Sequence, residues 1–178
     1  MHRSRIHVMG ASGSGTTTLA RALASRWSVP HADADDYFWV PTAPPFRRKR
    51  PPEQRVALME QLFAPREAWV LSGSMSGWGE SVVARCDAVV FLTLDPAERM
   101  LRLEAREQAR REGQESDTEA WEQFRTWAAS YDDPAFTGRS RAGHEAWLSR
   151  IDRPVLRLDS SQRVEELVEA VLVWEPAA

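Results

Sequence analysis

Short apolar runs alternate along the chain with longer segments whose apolar residues recur every three or four positions. The predicted strands occupy residues 6–9, 27–33, 69–71, 88–94 and 154–159, and the segments with helical spacing include 19–24, 53–65, 118–131 and 164–171. The run at 88–94 is continuously apolar, as expected of a parallel strand buried on both faces. Strands that alternate with helices predict an α/β fold with a parallel sheet and right-handed crossovers.

A glycine-rich stretch lies between the first predicted strand and the first predicted helix. It matches the phosphate-loop pattern G-x-x-x-x-G-K-[ST] at every fixed position except that of the lysine, where Thr16 stands. Its N–H groups and the positive end of the helix favour an anion, and the Thr17 hydroxyl is placed to reach Mg²⁺. The alternative is a turn without a ligand. The candidate phosphate-binding residues are Gly10, Ser12, Gly13, Ser14, Gly15, Thr16, Thr17 and Thr18.

The absence of a loop lysine is the main question that the sequence raises. In phosphate loops that lysine neutralises charge on the β- and γ-phosphates as the phosphoryl group moves. Here the only lysine of the chain is Lys49. Either another cation, most simply an arginine, takes over the role, or the site binds nucleotide and transfers phosphate poorly.

Two further polar features follow predicted strands. Asp33 and Asp35 are two residues apart, and on an extended segment they would project to the same side, one serving Mg²⁺ and one the acceptor. Alternatively, Asp35 or Asp36 caps a helix. The small residues at 72–74 allow close approach of a ligand or form a plain tight turn. Because the carboxyl ends of parallel strands meet at one edge, these features and the glycine-rich loop are expected to form one site.

Two segments concentrate positive charge. Residues 41–52 contain five prolines and the basic run 47–50, which is a solvated surface run, a nucleic-acid patch or a flap over an anionic substrate. A helix is predicted to begin at Asp95-Pro96, with Asp95 as its cap. Its arginines either pair with neighbouring glutamates or face a triphosphate. They share one helical face and are Arg99, Arg102, Arg106 and Arg110.

Two features are given structural interpretations. The aromatic stripe of Trp121, Phe124 and Trp127 is predicted to belong to the core rather than to a base-stacking platform. A structural role is expected for His144, because no pattern of partner residues accompanies it.

Composition narrows the possible functions. The 178 residues predict one domain, and a net charge of −3 argues against general nucleic-acid binding. No apolar run approaches the roughly 20 residues that span a membrane. We expect a cytoplasmic protein, because the first strand begins too early to leave room for a signal peptide. The single cysteine, Cys86, fits this expectation and leads us to expect no internal disulfide. Oligomeric state is not indicated.

Taken in order, these features resemble the small P-loop kinases of the adenylate, shikimate and gluconate kinase group over nearly the whole chain. Asp33-Ala34-Asp35 resembles the acid-x-acid motif with which shikimate kinases hold Mg²⁺ and the acceptor. Ser72-Gly73-Ser74 is similar to their glycine-rich substrate turn, and residues 99–113 resemble the helix that leads into their mobile lid. Residues 35–39 and 69–73 are most similar to adenylate-kinase-related, topology-modulation-like proteins.

The resemblance implies a P-loop NTPase-type three-layer α/β/α sandwich with a five-stranded parallel sheet. One domain would span 1–178, with a lid and helical insertion at approximately 106–145. It also implies an ATP- and Mg²⁺-dependent phosphotransferase for a small hydroxyl- or phosphate-bearing metabolite, nucleoside or nucleotide. The alternative is a nucleotide-binding regulator or degenerate kinase that transfers no phosphate.

The resemblance also suggests roles for individual residues. Asp35 would be the base or acceptor-orienting group, and Asp33 and Thr17 would serve the metal. Arg106, Arg110 or the 47–50 flap would replace the missing lysine. The remaining expected contacts are ATP with Arg102 and Arg110, and the acceptor with Asp35, Trp39, Gly73, Ser74 and Arg139.

Overall fold

The computed structural model describes residues 1–43, 45–111 and 118–176. The strands in these ranges are β1 (Arg5–Gly10), β2 (His31–Asp33), β3 (Trp39–Val40), β4 (Arg48–Lys49), β5 (Trp69–Ser72), β6 (Ala88–Thr93) and β7 (Val155–Asp159). The helices are α1 (Thr16–Trp27), α2 (Ala34–Phe38), α3 (Pro52–Leu62), α4 (Glu80–Val83), α5 (Pro96–Arg111), α6 (Thr118–Ala129), α7 (Arg141–Leu148) and α8 (Val164–Val173), with a 3₁₀ turn at Ser130–Asp132. Residues 112–117, which belong to the expected lid and helical insertion at approximately 106–145, lie outside the described residues.

The main sheet has the strand order β2-β5-β1-β6-β7, and every pair in it is parallel. This confirms the predicted five-stranded parallel sheet. Its register aligns Asp33 with Ser72, Ser72 with Val8, and Gly10 with Leu92. The ends of β1, β2 and β5 therefore lie side by side along one edge.

Alternate residues of the strands face the two sides of the sheet, as strand geometry requires. Ile6 and Val8 of β1 pack in a cluster with Leu19 of α1 and Val171 of α8. Met9 belongs to the opposite cluster, with residues of α3, α4 and α7. The sheet is therefore the middle layer of a three-layer α/β/α sandwich, as predicted.

The chain turns directly after β2, and the two aspartates do not share an extended segment. Asp33 ends β2 and is the N-cap of α2, with its Oδ1 accepting a hydrogen bond of 3.1 Å from the N–H of Asp35. The predicted extended arrangement is therefore wrong, and the cap is Asp33 rather than Asp35 or Asp36. The physical reason is that an aspartate side chain satisfies a free N–H group of the helix's first turn.

Two other segments also differ from expectation. The proline-rich segment, whose five prolines predict an irregular surface loop, contributes strand β4, which pairs antiparallel with β3, so Trp39 lies opposite Lys49. The aromatic stripe of α6 is half-buried and lies outside both core clusters, so its assignment to the core is wrong. Its rings instead contact one another, with ring centroids about 6 Å apart. No helix of the described segments has the length and apolar character needed to cross a membrane.

A buried arginine joins α5 to the segments on either side of it. Arg99 is only 1% exposed, and its Nη2 donates a hydrogen bond of 2.5 Å to Asp132 Oδ2. The other carboxylate oxygen of Asp132 accepts a hydrogen bond of 2.6 Å from Arg141 Nε. Arg99 Nη1 donates to the carbonyl oxygen of Ser12 at 3.2 Å. The glycine-rich loop is therefore tied through Arg99 to the chain segment before α7.

Replacing Asp132 with alanine tests this connection. The substitution leaves the Arg99 charge buried without its carboxylate, so we expect the free energy of unfolding to fall by about 3 kcal/mol. Urea denaturation followed by circular dichroism would measure it. The control is Arg125→Ala, which breaks an exposed ion pair with Glu122 and should cost less than about 1 kcal/mol. Equal losses in the two variants would contradict a structural role for the buried pair.

Candidate functional site

The glycine-rich loop is a closed turn that leads straight into α1. Gly13 and Gly15 both have φ of +85°, a left-handed conformation that glycine adopts without steric cost. The N–H and the Oγ of Ser14 both donate to the carbonyl oxygen of Ala11, at 3.1 Å and 2.8 Å. Gly15 is the N-cap of α1. The first N–H groups of α1 have no partners within the helix and can therefore bind an anion.

The three threonines that open α1 lie in different surroundings. Thr16 is half-buried at the position of the missing lysine, and Thr18 is exposed. Thr17 Oγ1 donates a hydrogen bond of 2.8 Å to Asp33 Oδ2. Thr17 is therefore the member of this group that links the loop to the acidic segment.

Asp33 is the meeting point of three elements. Besides Thr17, its Oδ2 accepts a hydrogen bond of 3.1 Å from Ser72 Oγ at the end of β5. Ser72 Oγ also lies 3.0 Å from His31 Nε2. The loop, the end of β2 and the end of β5 are thus joined by direct hydrogen bonds.

The oxygen atoms at this point are chemically suited to Mg²⁺. The described part of the chain contains no group of three or more His, Cys, Asp or Glu side chains that could hold a metal. Mg²⁺, however, is commonly held by one or two carboxylates together with waters and substrate phosphates. The carboxylate of Asp33 and the hydroxyl of Thr17 fit such a partial site, which a nucleotide would complete.

Asp35 lies in the first turn of α2, where part of its surface is exposed but its carboxyl group is close to surrounding protein atoms and other charges. Burial by the surrounding protein raises the pKa of its carboxyl group, and the charge of Asp33 raises this pKa further. Arg139 and Arg106 act in the opposite direction and lower it. Asp35 therefore lies within electrostatic reach of two arginines that come from distant parts of the chain.

The arginines expected at the site occupy different positions. Arg139 Nη2 donates a hydrogen bond of 2.8 Å to Ser12 Oγ in the loop. Arg102 Nη1 lies 3.9 Å from where a Cβ on Gly15 would be. Arg106 is exposed, and Arg110 makes an ion pair of 2.7 Å with Glu107. Arg102 and Arg139 are thus the members of this group adjacent to the loop.

The turn after β5 is fixed from behind by two histidines. The N–H of Gly73 donates to the carbonyl oxygen of Val8 at 3.1 Å, and the carbonyl oxygen of Gly73 lies 2.7 Å from His7 Nε2. Ser74 Oγ lies 3.4 Å from His144 Nε2. Burial lowers the pKa of His7 to about 4 and that of His144 to about 3, so both rings are neutral at neutral pH. The buried position of His144 is consistent with the structural role expected for it.

Trp39 belongs to an aromatic cluster beside α2. Its ring centroid lies 5.0 Å from that of Phe38, and Phe38 in turn is 6.0 Å from Trp78. The guanidinium carbon of Arg55, a residue of α3 that is only 6% exposed, lies 3.8 Å from the Phe38 ring centroid. The cluster therefore combines aromatic rings with a buried positive charge beside the end of α2.

Several contacts around the candidate site were not predicted from the sequence. The sequence around Arg55 predicted an amphipathic helix and nothing more. Arg99 pairs with Asp132, and His144 pairs with Tyr131. Tyr131 OH lies 2.9 Å from His144 Nδ1. These pairings join residues on separate elements, so no local spacing indicated them.

Comparison with known proteins places the chain in a family. The AAA domain family matches residues 6–122, which include the loop, the two aspartates and α5. The chain belongs to this family. It is also 38% identical over 175 residues to the uncharacterized protein YqaC of Bacillus subtilis (strain 168), a match that covers 96% of both chains.

Solved structures show the fold of this AAA domain. A shikimate kinase from Bacteroides thetaiotaomicron matches with a TM-score of 0.59 and 20% identity, covering 94% of this chain and 96% of the kinase. A gluconokinase from Sinorhizobium meliloti 1021 matches with a TM-score of 0.53 and 19% identity, covering 96% of this chain and 90% of the other. The chain therefore has the P-loop kinase fold expected from its sequence.

The raised pKa of Asp35 predicts a particular dependence of stability on pH. The folded protein holds a proton on this carboxyl more tightly than the unfolded chain, so its contribution to stability falls as pH rises from the ordinary aspartate pKa through the raised one. Asp35→Asn removes this titration. We expect the melting temperature of the variant to exceed that of the wild type at about pH 7, and the difference to shrink at about pH 3.5. Thermal unfolding followed by circular dichroism would measure both, and a lower melting temperature for the variant at neutral pH would contradict the prediction.

Proposed function

We propose that the protein is an ATP- and Mg²⁺-dependent kinase that phosphorylates a small metabolite, nucleoside or nucleotide. The observation that carries the proposal is the position of Asp33. Its carboxylate accepts hydrogen bonds from Thr17 of the loop and Ser72 of β5, and Asp35 follows two residues later. A phosphate loop, a partial metal site and a candidate base are thereby joined at one edge of the sheet.

The loop residues would bind and orient the nucleotide. N–H groups among residues 13–17, together with the positive end of α1, would hold the β-phosphate. Thr17 would reach Mg²⁺ directly, and Asp33 would hold it through water. The chemistry that the metal supplies is neutralisation of charge on the β- and γ-phosphate oxygens.

Asp35 would act on the acceptor. As the acceptor oxygen forms its bond to the γ-phosphorus, the bond from that phosphorus to the bridging oxygen breaks and ADP leaves. The proton of an acceptor hydroxyl passes to the Asp35 carboxylate, whose raised pKa makes it a stronger base. A carboxylate facing the acceptor repels a phosphate group, so of the two expected acceptor groups we favour a hydroxyl.

A second function is supported by Thr16. Without a lysine in the loop, the chain could be a nucleotide-binding regulator or degenerate kinase, in which binding has conformational consequences and no phosphate is transferred. Asp35 argues against this alternative, because binding alone does not require a base beside the acceptor.

Isothermal titration with a non-hydrolysable ATP analogue, with and without Mg²⁺, tests the proposal first. We expect Mg²⁺-dependent binding in the micromolar range, about 8 kcal/mol of binding free energy. ADP release would then be measured against a panel of small hydroxyl compounds. Absence of binding at about millimolar analogue, a level that corresponds to only about 4 kcal/mol, would reject the kinase. Binding without acceptor-dependent ADP release would favour the regulator.

Replacing Asp35 with asparagine separates chemistry from nucleotide binding. We expect turnover of an identified acceptor to fall by about 100-fold or more, because the base is lost. Affinity for the ATP analogue should stay within about threefold, less than the effect of a typical hydrogen bond to a charged group. The matched control is Asp36→Asn at the neighbouring exposed carboxylate, which should retain turnover. Unchanged turnover in the Asp35 variant would remove Asp35 from the mechanism.

A further inference from the structure

Three arginines from outside the loop approach it, and two of them are already neutralised. Arg99 binds the carbonyl oxygen of Ser12, and Asp132 satisfies its charge at 2.5 Å. Arg102 is paired with Glu98 at 2.6 Å and donates to the carbonyl oxygen of Ser160 at 3.0 Å. These two arginines therefore have carboxylate partners within the protein.

Arg139 differs from Arg99 and Arg102 in its partners. It makes no ion pair with any residue in the described ranges, although its guanidinium is partly removed from water. Its Nη2 donates to Ser12 Oγ at 2.8 Å, and its Cζ lies 4.7 Å from the centroid of the Trp127 ring. Its Nε is buried and has no hydrogen-bond partner among the described residues. A partly buried cation with no direct ion-pair partner and an unpaired Nε favours the arrival of an anion, even with the charge of Asp35 within electrostatic reach.

The position of Arg139 indicates which anion that is. The γ-phosphoryl group has to pass from the loop to an acceptor beside Asp35. Arg139 contacts Ser12 on the loop side of this path and acts on the charge of Asp35 on the other side. Arg102, by contrast, lies at Gly15, where the loop enters α1. Of the arginines that contact the loop, Arg139 is the one whose charge also acts on Asp35.

We propose that Arg139 supplies the positive charge that the loop lacks, by binding the γ-phosphate beside Ser12. The inference rests on the proposed function, because it requires ATP in the loop, and it assigns to Arg139 the role that we expected of Arg106, Arg110 or the basic run. A guanidinium can donate two parallel hydrogen bonds to a phosphate, so an arginine that approaches from another segment can replace a lysine within the loop.

A double-mutant cycle between Arg139 and Thr16 tests this assignment. The variants are Arg139→Gln, which removes the charge and keeps a long polar side chain, Thr16→Lys, which restores the loop lysine, and the double variant. Affinities for a non-hydrolysable ATP analogue and for ADP, both with Mg²⁺, would be measured by isothermal titration. No acceptor has to be known.

We expect Arg139→Gln to weaken binding of the ATP analogue by about tenfold or more, the effect of losing a hydrogen bond between charged groups, and to change ADP affinity by less than about threefold. Adding Thr16→Lys to this variant should recover most of the loss, and in the wild-type background it should have a smaller effect. Arg139→Lys should retain part of the preference for the ATP analogue. The matched control, Arg125→Ala on the exposed face of α6, should leave both affinities unchanged.

Other outcomes would overturn the inference in distinguishable ways. Equal losses for the ATP analogue and ADP, or an effect of Thr16→Lys that is the same in both backgrounds, would reject Arg139 as the replacement for the lysine and leave the proposed function standing. No binding of either nucleotide by the wild type would reject both. If circular dichroism shows that Arg139→Gln is unfolded, the inference is tested instead with Arg139→Lys and with Thr16→Lys in the wild-type background. Wild-type affinities for both nucleotides in Arg139→Lys, together with a large gain in affinity for the ATP analogue in Thr16→Lys, would reject the inference.

Discussion

A single carboxylate, that of Asp33, holds together the edge of the sheet on which the site is built. Its oxygens accept hydrogen bonds from Thr17, Ser72 and the N–H of Asp35, so one side chain positions the loop helix, the neighbouring strand and the first turn of α2. Asp33 stands at the end of β2, an edge strand of three residues that pairs with β5 alone. The position of this carboxylate therefore depends on β5, and the order of the whole site follows from the parallel pairing of short strands.

The local sequence pattern predicted the strands of the sheet and the loop well, because each of these segments is formed by contiguous residues. Continuous apolar runs such as β6 indicate buried parallel strands, and the spacing of Gly10, Gly15 and Thr17 indicates a phosphate loop. The same reasoning failed at Asp33, where two acidic residues look alike in sequence. Which of them ends the strand and caps the helix is decided by the turn of the chain, and alternation of residues does not reveal that turn.

The arginines show the limit of sequence reasoning even more clearly. Helical spacing placed Arg99, Arg102, Arg106 and Arg110 on one face of α5 and made them equivalent. In the structure Arg99 is buried against Asp132, whereas Arg110 is paired with Glu107 near the end of the helix. Arg139, which lies against the loop, comes from a segment beyond the residues that the AAA domain family matches. Charge at the site depends on long-range contacts, and these carry no local signature.

The contact between Ser12 and Arg139 spans 127 positions in sequence, and this separation has a consequence for how the protein comes into being. A loop lysine would be present as soon as the loop itself is synthesised. Here the loop is synthesised well before Arg139, so the guanidinium can reach Ser12 only once the chain has been made as far as residue 139. The charge that Arg139 adds beside the loop therefore depends on a long-range contact, whereas a loop lysine would depend on local sequence alone.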